Sequence, residues 1–297
     1  MKRVLIIFLT LLIVAPLAFA GKKAFLVGIS RYKMDWPTIH GSEDVELLKP
    51  ELINQKFEVT TLTNAQATRD GIINGLNAFI KTIKKGDVIY IHFSTHGQPV
   101  EDYNGDETSK KGKKDKWDEA IVPYDAGSHF SKAYNGDKHI IDDVINTIVS
   151  DIRRILGPKG ALYVVIDACH AGGSSRGDGL TRTRGIDNRG SNEGLSRSNK
   201  KFDFSNAEDE RNYHLPNSRG LAPAVFFEAC TAKERNKEIS VKGKEYGSLS
   251  YMVYLTLIGK NGTIGVNPET FERAVRYTVM KSTFWPKRQT LVTESSY

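Results

Sequence analysis

The sequence is poor in cysteine: among 297 residues only Cys169 and Cys230 occur. They can form one disulfide at most. Exported chains usually pair their cysteines or carry none, so such a bridge is one reading to keep open. Long apolar runs are missing after Ala20, and nothing beyond that point reads as a membrane span. Internal repeats are missing too, and a chain of this size buries a full core as one large domain. Charge excess is modest, a formal +7, of which Lys2 and Arg3 supply two. Arginines gather between residues 174 and 201. No aromatics interleave with them, and Asp178, Asp187 and Glu193 dilute them, which argues against a nucleic-acid partner.

What is present begins with a leader. Lys2 and Arg3 precede an uncharged stretch, residues 4–20, that ends in the small-x-small site Ala18-Phe19-Ala20. Residues 1–20 therefore read as a signal peptide, and the mature protein as exported, periplasmic or secreted, with no membrane attachment after cleavage. A retained anchor is the alternative, at the short limit for a span. Near-continuous apolar runs at residues 24–29, 57–62, 88–94, 162–167 and 224–229 read as strands covered on both faces. Helical patterns lie between and after them, at residues 44–56, 69–84, 142–156, 248–259 and 267–281. This alternation implies a mostly parallel sheet with helices on both sides, whose ligands bind beyond the carboxyl ends of the strands. Residues 174–201 break the pattern. With five Gly, five Ser, seven Lys or Arg and three large apolar residues, they read as a mobile loop dividing the domain.

Two strands run into reactive residues. One is Ile91-His92-Phe93-Ser94-Thr95-His96-Gly97; the other is Val165-Ile166-Asp167-Ala168-Cys169-His170-Ala171-Gly172-Gly173. Both end in Gly-containing turns at the sheet edge where sites form. A thiol is only a few per cent ionised at neutral pH, and a neighbouring imidazole activates it. His96 and Cys169 are thus a candidate base and nucleophile, with the backbone N–H groups of Gly97 and Cys169 as oxyanion donors. Taken singly, a strand-end Cys or His is an ordinary core residue. His92 with His96, or Cys169 with His170, has the look of a metal pair, but no third ligand is evident for zinc. On a continuous strand His92, Ser94 and His96 would point to one face.

The pair Ser94-Thr95-His96-Gly97 and Asp167-Ala168-Cys169-His170-Ala171-Gly172 resembles the metacaspase signature within the caspase-like peptidases. The stretch from Trp117-Asp118-Glu119 to Pro123-Tyr124-Asp125, Ile141-Asp142-Asp143, Glu228-Ala229-Cys230 and Tyr246-Gly247-Ser248 look like further landmarks of that family. The resemblance implies a three-layer α/β/α caspase-like fold with about six strands in a mostly parallel sheet. The large part would be residues 21–175, a cleavable linker 176–219 and the small part 220–297. It also implies a cysteine endopeptidase using His96 and Cys169. Caspases that cut after aspartate carry Gln where this chain has Asp167, so the implied substrates are proteins or peptides with Arg or Lys before the scissile bond. Asp167 is alternatively a turn cap. Ser94 and Asp44 are the other implied pocket groups. The segment ahead of Asp44 departs from the family's in being one residue shorter and having Ser42 for a Cys, and Asp44 is alternatively a helix cap.

Many metacaspases use calcium, and Asp118, Asp142, Asp143 and Asp178 stand at the matching positions, with hard oxygen donors suited to Ca²⁺ as an activator. Asp142 and Asp143 also suit a helix N-terminus. The chemistry itself needs no cofactor. Cys230 reads as structural and unpaired, and residues 101–116 as a solvated loop. The loop after Cys169 offers Arg176, Arg182, Arg184, Arg189, Arg197, Lys200 and Lys201 to an enzyme of this specificity, so self-processing there is expected. No long segment precedes the first strand, so caspase-style recruitment is not expected, and the expected state is a monomer. The alternatives are a clostripain- or gingipain-like peptidase and a non-catalytic caspase-like binding module.

Overall fold

Apolar runs too continuous for a surface strand become the middle of a sheet. The computed structural model describes residues 20–102, 117–132, 134–168, 195–197, 215, 217–231 and 234–297. The chain opens with β1 (Lys22–Gly28), α1 (Gly41–Asn54), β2 (Glu58–Thr63), α2 (Arg69–Ile80) and β3 (Val88–Ser94). A second group follows: β4 (His96–Glu101), β5 (Trp117–Val122), β6 (Ile140–Ile141), α3 (Asp142–Leu156) and β7 (Ala161–Asp167). The last part holds β8 (Ala224–Glu228), β9 (Glu238–Val241), β10 (Lys244–Gly247), α4 (Ser248–Leu257), α5 (Pro268–Lys281) and β11 (Val292–Ser295).

Six strands form the central sheet in the order β11-β8-β7-β3-β1-β2. All neighbours are parallel except β11, which pairs antiparallel with β8. Successive side chains of a strand face opposite layers, and the core divides accordingly. Ile89, Ile91, Phe93, Leu162, Val164 and Ile166 pack with residues of α2 and α3. Val88, Tyr90, Tyr163 and Val165 pack with residues of α1, α4 and α5. The result is the expected three-layer α/β/α architecture with six central strands.

A smaller sheet, β4-β5-β6, and the hairpin β9-β10 complete the fold. Neither stands out in the sequence. Strand β4 reads His-Gly-Gln-Pro-Val-Glu, with a Pro that only an edge position tolerates. Helix α1 starts three residues earlier than expected, at Gly41. A Cβ there would lie 2.2 Å from the Ser94 carbonyl oxygen, and one on Gly28 would lie 2.1 Å from the Gly41 oxygen. Two glycines therefore let the first turn of α1 press against the carboxyl end of β3, and this seats Asp44.

Candidate active site

Strands β3 and β7 are parallel neighbours with Ser94 opposite Asp167, so both end at the same edge of the sheet. The Thr95 amide, donating to the Asp167 carbonyl at 3.4 Å, ties the two ends together. Beyond that point β3 turns through Thr95 into β4, whose first residue is His96. In the sequence β7 leads through Ala168 to Cys169. Cys169 and His170 lie outside the described residues, as do Asp178, Arg176, Arg182, Arg184, Arg189, Lys200, Lys201 and residues 1–19.

His96 is fully buried and held from the loop after β1. Its amide donates to Tyr32 Oη at 2.7 Å, and its Nε2 lies 2.8 Å from the Pro37 carbonyl oxygen. A carbonyl only accepts, so Nε2 carries the proton and, in the neutral ring, Nδ1 keeps the basic lone pair. The ring stacks on Trp36 at 4.9 Å and meets Tyr32 at 5.1 Å. Trp36 is itself fixed, its Nε1 donating to the Ala126 carbonyl at 3.0 Å. Gly97 follows on β4, opposite Ile121 of β5. Its partner in the expected oxyanion site, the Cys169 amide, lies outside the described residues.

The three expected pocket residues come together on the face covered by α1 and α4. Ser94 Oγ donates to Asp44 Oδ2 at 2.6 Å, and the Gly247 amide lies 3.0 and 3.2 Å from the two Asp44 oxygens. Asp167 accepts from Asn236 Nδ2 at 2.5 Å, from the Ser250 amide at 2.7 Å and from Ser250 Oγ at 2.6 Å. Both carboxylates are fully buried. Gly247 is the N-cap of α4 and Ser250 sits in its first turn. Two like charges are therefore kept at the helix end whose amides and dipole favour anions. Their field reaches neighbouring phenols. Burial, reinforced by the Asp167 charge, pushes the Tyr90 hydroxyl well up, and burial with the Asp44 charge also raises Tyr246.

His92 belongs to this network rather than to a metal site. The single Ser250 hydroxyl proton goes to Asp167, so His92 Nε2 donates to Ser250 Oγ at 3.0 Å. The Tyr90 hydroxyl, 3.0 Å away, then donates to His92 Nδ1. His92, Ser94 and His96 do not form one row on a strand: β3 ends at Ser94, and His96 opens β4 with its ring on Trp36. Nor is Asp44 the cap of its own helix. The N-cap is His40, and the Asp44 carboxylate reaches across to β3 and α4. Glu101, expected at the start of a solvated loop, is buried at the end of β4.

Asp118 and Asp142 are nearly buried, and the β5–β6 register brings Asp118 to the same end of that ladder as Asp142 and Asp143. Asp142 and Asp143 occupy the first turn of α3. Among the described residues no group of three or more His, Cys, Asp or Glu side chains is arranged to hold a metal ion. Hard carboxylate oxygens suit Ca²⁺, which takes about six to eight of them, and the fourth expected carboxylate, Asp178, lies outside the described residues. Cys230 is buried, its thiol donating to the Glu234 carbonyl oxygen at 3.5 Å. Sequence reasoning missed Tyr32, Trp36 and Pro37 around His96, and Asn236 and Ser250 around Asp167. An aromatic pair in a short loop at a strand's carboxyl end was the available signal for the first group. The second group lies 69 and 83 residues from Asp167 along the chain and carries none.

Against Gln98 of β4 a third histidine is locked. His139 Nε2 lies 2.8 Å from Gln98 Oε1 and Nδ1 2.7 Å from Tyr134 Oη, and burial pushes its pKa down to about 3. The unfolded chain takes up this proton near pH 6.5, while the folded one does not until about pH 3. Stability is therefore full above pH 6.5 and falls toward pH 3, by about 1.4 kcal/mol per pH unit for one such group. Chemical denaturation across that range is expected to show a shallower fall for His139→Gln than for wild type.

A model described as metacaspase, peptidase C14 domain, matches residues 22–175. Metacaspase-1 of Lodderomyces elongisporus is 23% identical over 275 residues, covering 81% of this chain and 58% of that protein. Metacaspase-1A of Aspergillus niger is 27% identical over 176 residues, covering 56% and 39%. The chain thus spans less than two thirds of the length of these curated relatives. A Geobacter sulfurreducens protein of known crystal structure shares the fold, with a TM-score of 0.60 at 19% identity, covering 93% of this chain and 94% of that one.

Proposed function

The chain belongs to the metacaspase family, peptidase C14, and from that premise we propose that it is a cysteine-type endopeptidase cutting after Arg or Lys. The observation that carries the specificity is the pair of buried carboxylates, Asp44 and Asp167, on either side of Ser94. A guanidinium or ammonium group brought beside two buried carboxylates makes charge-assisted hydrogen bonds with them. An aspartate side chain would meet like charge there.

In this reading Cys169 attacks the scissile carbonyl and His96 Nδ1 takes the thiol proton. The imidazolium keeps its Nε2–H on Pro37, which holds the ring while Nδ1 returns the proton to the leaving amine. Water then hydrolyses the thioester with the same base. The backbone amides of Gly97 and Cys169 receive the oxyanion, each such donor contributing about 2.7–4 kcal/mol. Asp118, Asp142, Asp143 and Asp178 would hold an activating Ca²⁺, and residues 1–20 would direct export.

The basic linker makes self-processing part of the proposal. Strands β7 and β8, on either side of it, pair from Leu162↔Ala224 to Ile166↔Glu228, which favours parts that stay associated after cutting. Purified wild type is expected to appear clipped on a denaturing gel and Cys169→Ala intact, with clipping tested with and without added calcium. Equal clipping of both would assign the cuts to an outside protease.

A further inference from the structure

Residues 174–201 read as too polar to pack, yet a piece of them is docked. Leu195 is 1% exposed and shares an apolar cluster with Trp36, Val100, Ala120, Val122, Ala126 and Tyr134. Its amide donates to the Pro99 carbonyl at 2.8 Å, and its carbonyl accepts from the Glu101 amide at 2.9 Å. The edge of β4 turned away from β5 thus takes residue 195 as an added parallel strand position. The next two side chains are also received. Ser196 Oγ donates to the buried Glu101 carboxylate at 2.7 Å, and the Arg197 guanidinium lies 5.8 Å from the centre of the Phe130 ring.

The docked residues reach His96 by two routes. β4 begins with His96, so bonds along its edge fix the strand that carries the base. Leu195 also packs in the same cluster as Trp36, whose ring stacks on the imidazole. We propose that Leu195 is a positioning residue for His96, its bridge to β4 holding in place the strand that carries the base. This rests on the reading of His96 as the base of a peptidase. A second consequence concerns Arg197. A protease binds its substrate as an extended chain with free backbone groups, and those of Leu195 are already engaged. The Arg197–Ser198 bond is therefore withheld from cutting while 195–197 are docked.

The test uses Leu195→Asp, which puts a charge in the apolar cluster, and Leu195→Met, which keeps the volume. On an Arg peptide reporter, Leu195→Asp is expected to lower kcat by about tenfold to a hundredfold, the scale of a slightly misplaced catalytic group. KM is expected to stay within about twofold, because Asp44 and Asp167 are untouched, and Leu195→Met to stay near wild type. In the Cys169→Ala background, where the chain's own activity is absent, added trypsin should cut Arg197–Ser198 about tenfold faster with Leu195→Asp, as read by mass spectrometry. Equal trypsin rates would overturn the docking. Faster trypsin cutting with kcat unchanged would overturn the positioning role. A kcat loss that Leu195→Met shares, or one matched by a rise in KM, would mean a structural role and also overturn it. An inactive wild type would sink the peptidase reading and this role with it, while the trypsin arm still reports the docking by itself.

Discussion

Asp167→Asn is expected to lower kcat/KM for an arginine reporter by about a hundredfold to a few thousandfold. The side chain keeps its shape and loses its charge. Removing one partner of a buried, hydrogen-bonded ion pair costs about 3–5 kcal/mol, and each 1.4 kcal/mol is a factor of about ten. Asparagine also disturbs the resting network. Asp167 accepts from Asn236, from the Ser250 amide and from the Ser250 hydroxyl, and an amide there turns a donor toward one of them. That mismatch costs about 1–3 kcal/mol of stability, so a melting curve belongs beside the kinetics. A melting shift without loss of arginine cleavage would make Asp167 only a cap for α4. Asp44→Asn is expected to act in the same direction, since its carboxylate lies on the other side of Ser94.

His96→Ala is expected to lower kcat by about 10²–10⁴-fold with little change in KM, the range for a positioned general base. Its partners make the effect specific. The Pro37 carbonyl fixes the tautomer, and Trp36 and Tyr32 fix the ring plane. A substitute base diffusing in from solvent has no such geometry. Residues that act as one unit do not add, so His96→Ala with Cys169→Ala should be no slower than Cys169→Ala alone. Alkylation of Cys169 by iodoacetamide should also slow in His96→Ala, because the thiolate is the reactive form. Unchanged alkylation and unchanged kcat would remove His96 from the chemistry.

Much of this arrangement is legible before any coordinates. The uninterrupted apolar runs of β3 and β7 announce strands covered on both faces, and both turn out buried at every residue. The alternation of such runs with helical stretches yields the parallel sheet. The elements that escape reading are those whose stability comes from pairing rather than from their own side chains. β4 carries Gly97 and Pro99, and β11 is the four residues Val-Thr-Glu-Ser closing an edge. Strand-end position likewise marks His96, and the family resemblance marks Asp167, Ser94 and Asp44. What neither shows is how they are held. The Pro37 carbonyl, the Gly247 amide and the Ser250 amide are backbone groups, and any sequence supplies those. Leu195 escapes for the opposite reason: one apolar side chain in a polar stretch weighs little in composition, but a formed pocket receives it.

Under the proposed function, two buried carboxylates at the sheet edge that leads into His96 select a cation before the scissile bond. The most direct measurement is kcat/KM of the purified protein on matched peptide reporters that differ only in that residue: Arg, Lys, Gln and Asp. The expected result is cleavage of the Arg and Lys peptides, none of the Asp peptide, and no cleavage of any by Cys169→Ala. Cleavage of the Asp or Gln peptide at the rate of the Arg peptide, or activity that survives Cys169→Ala, would contradict it.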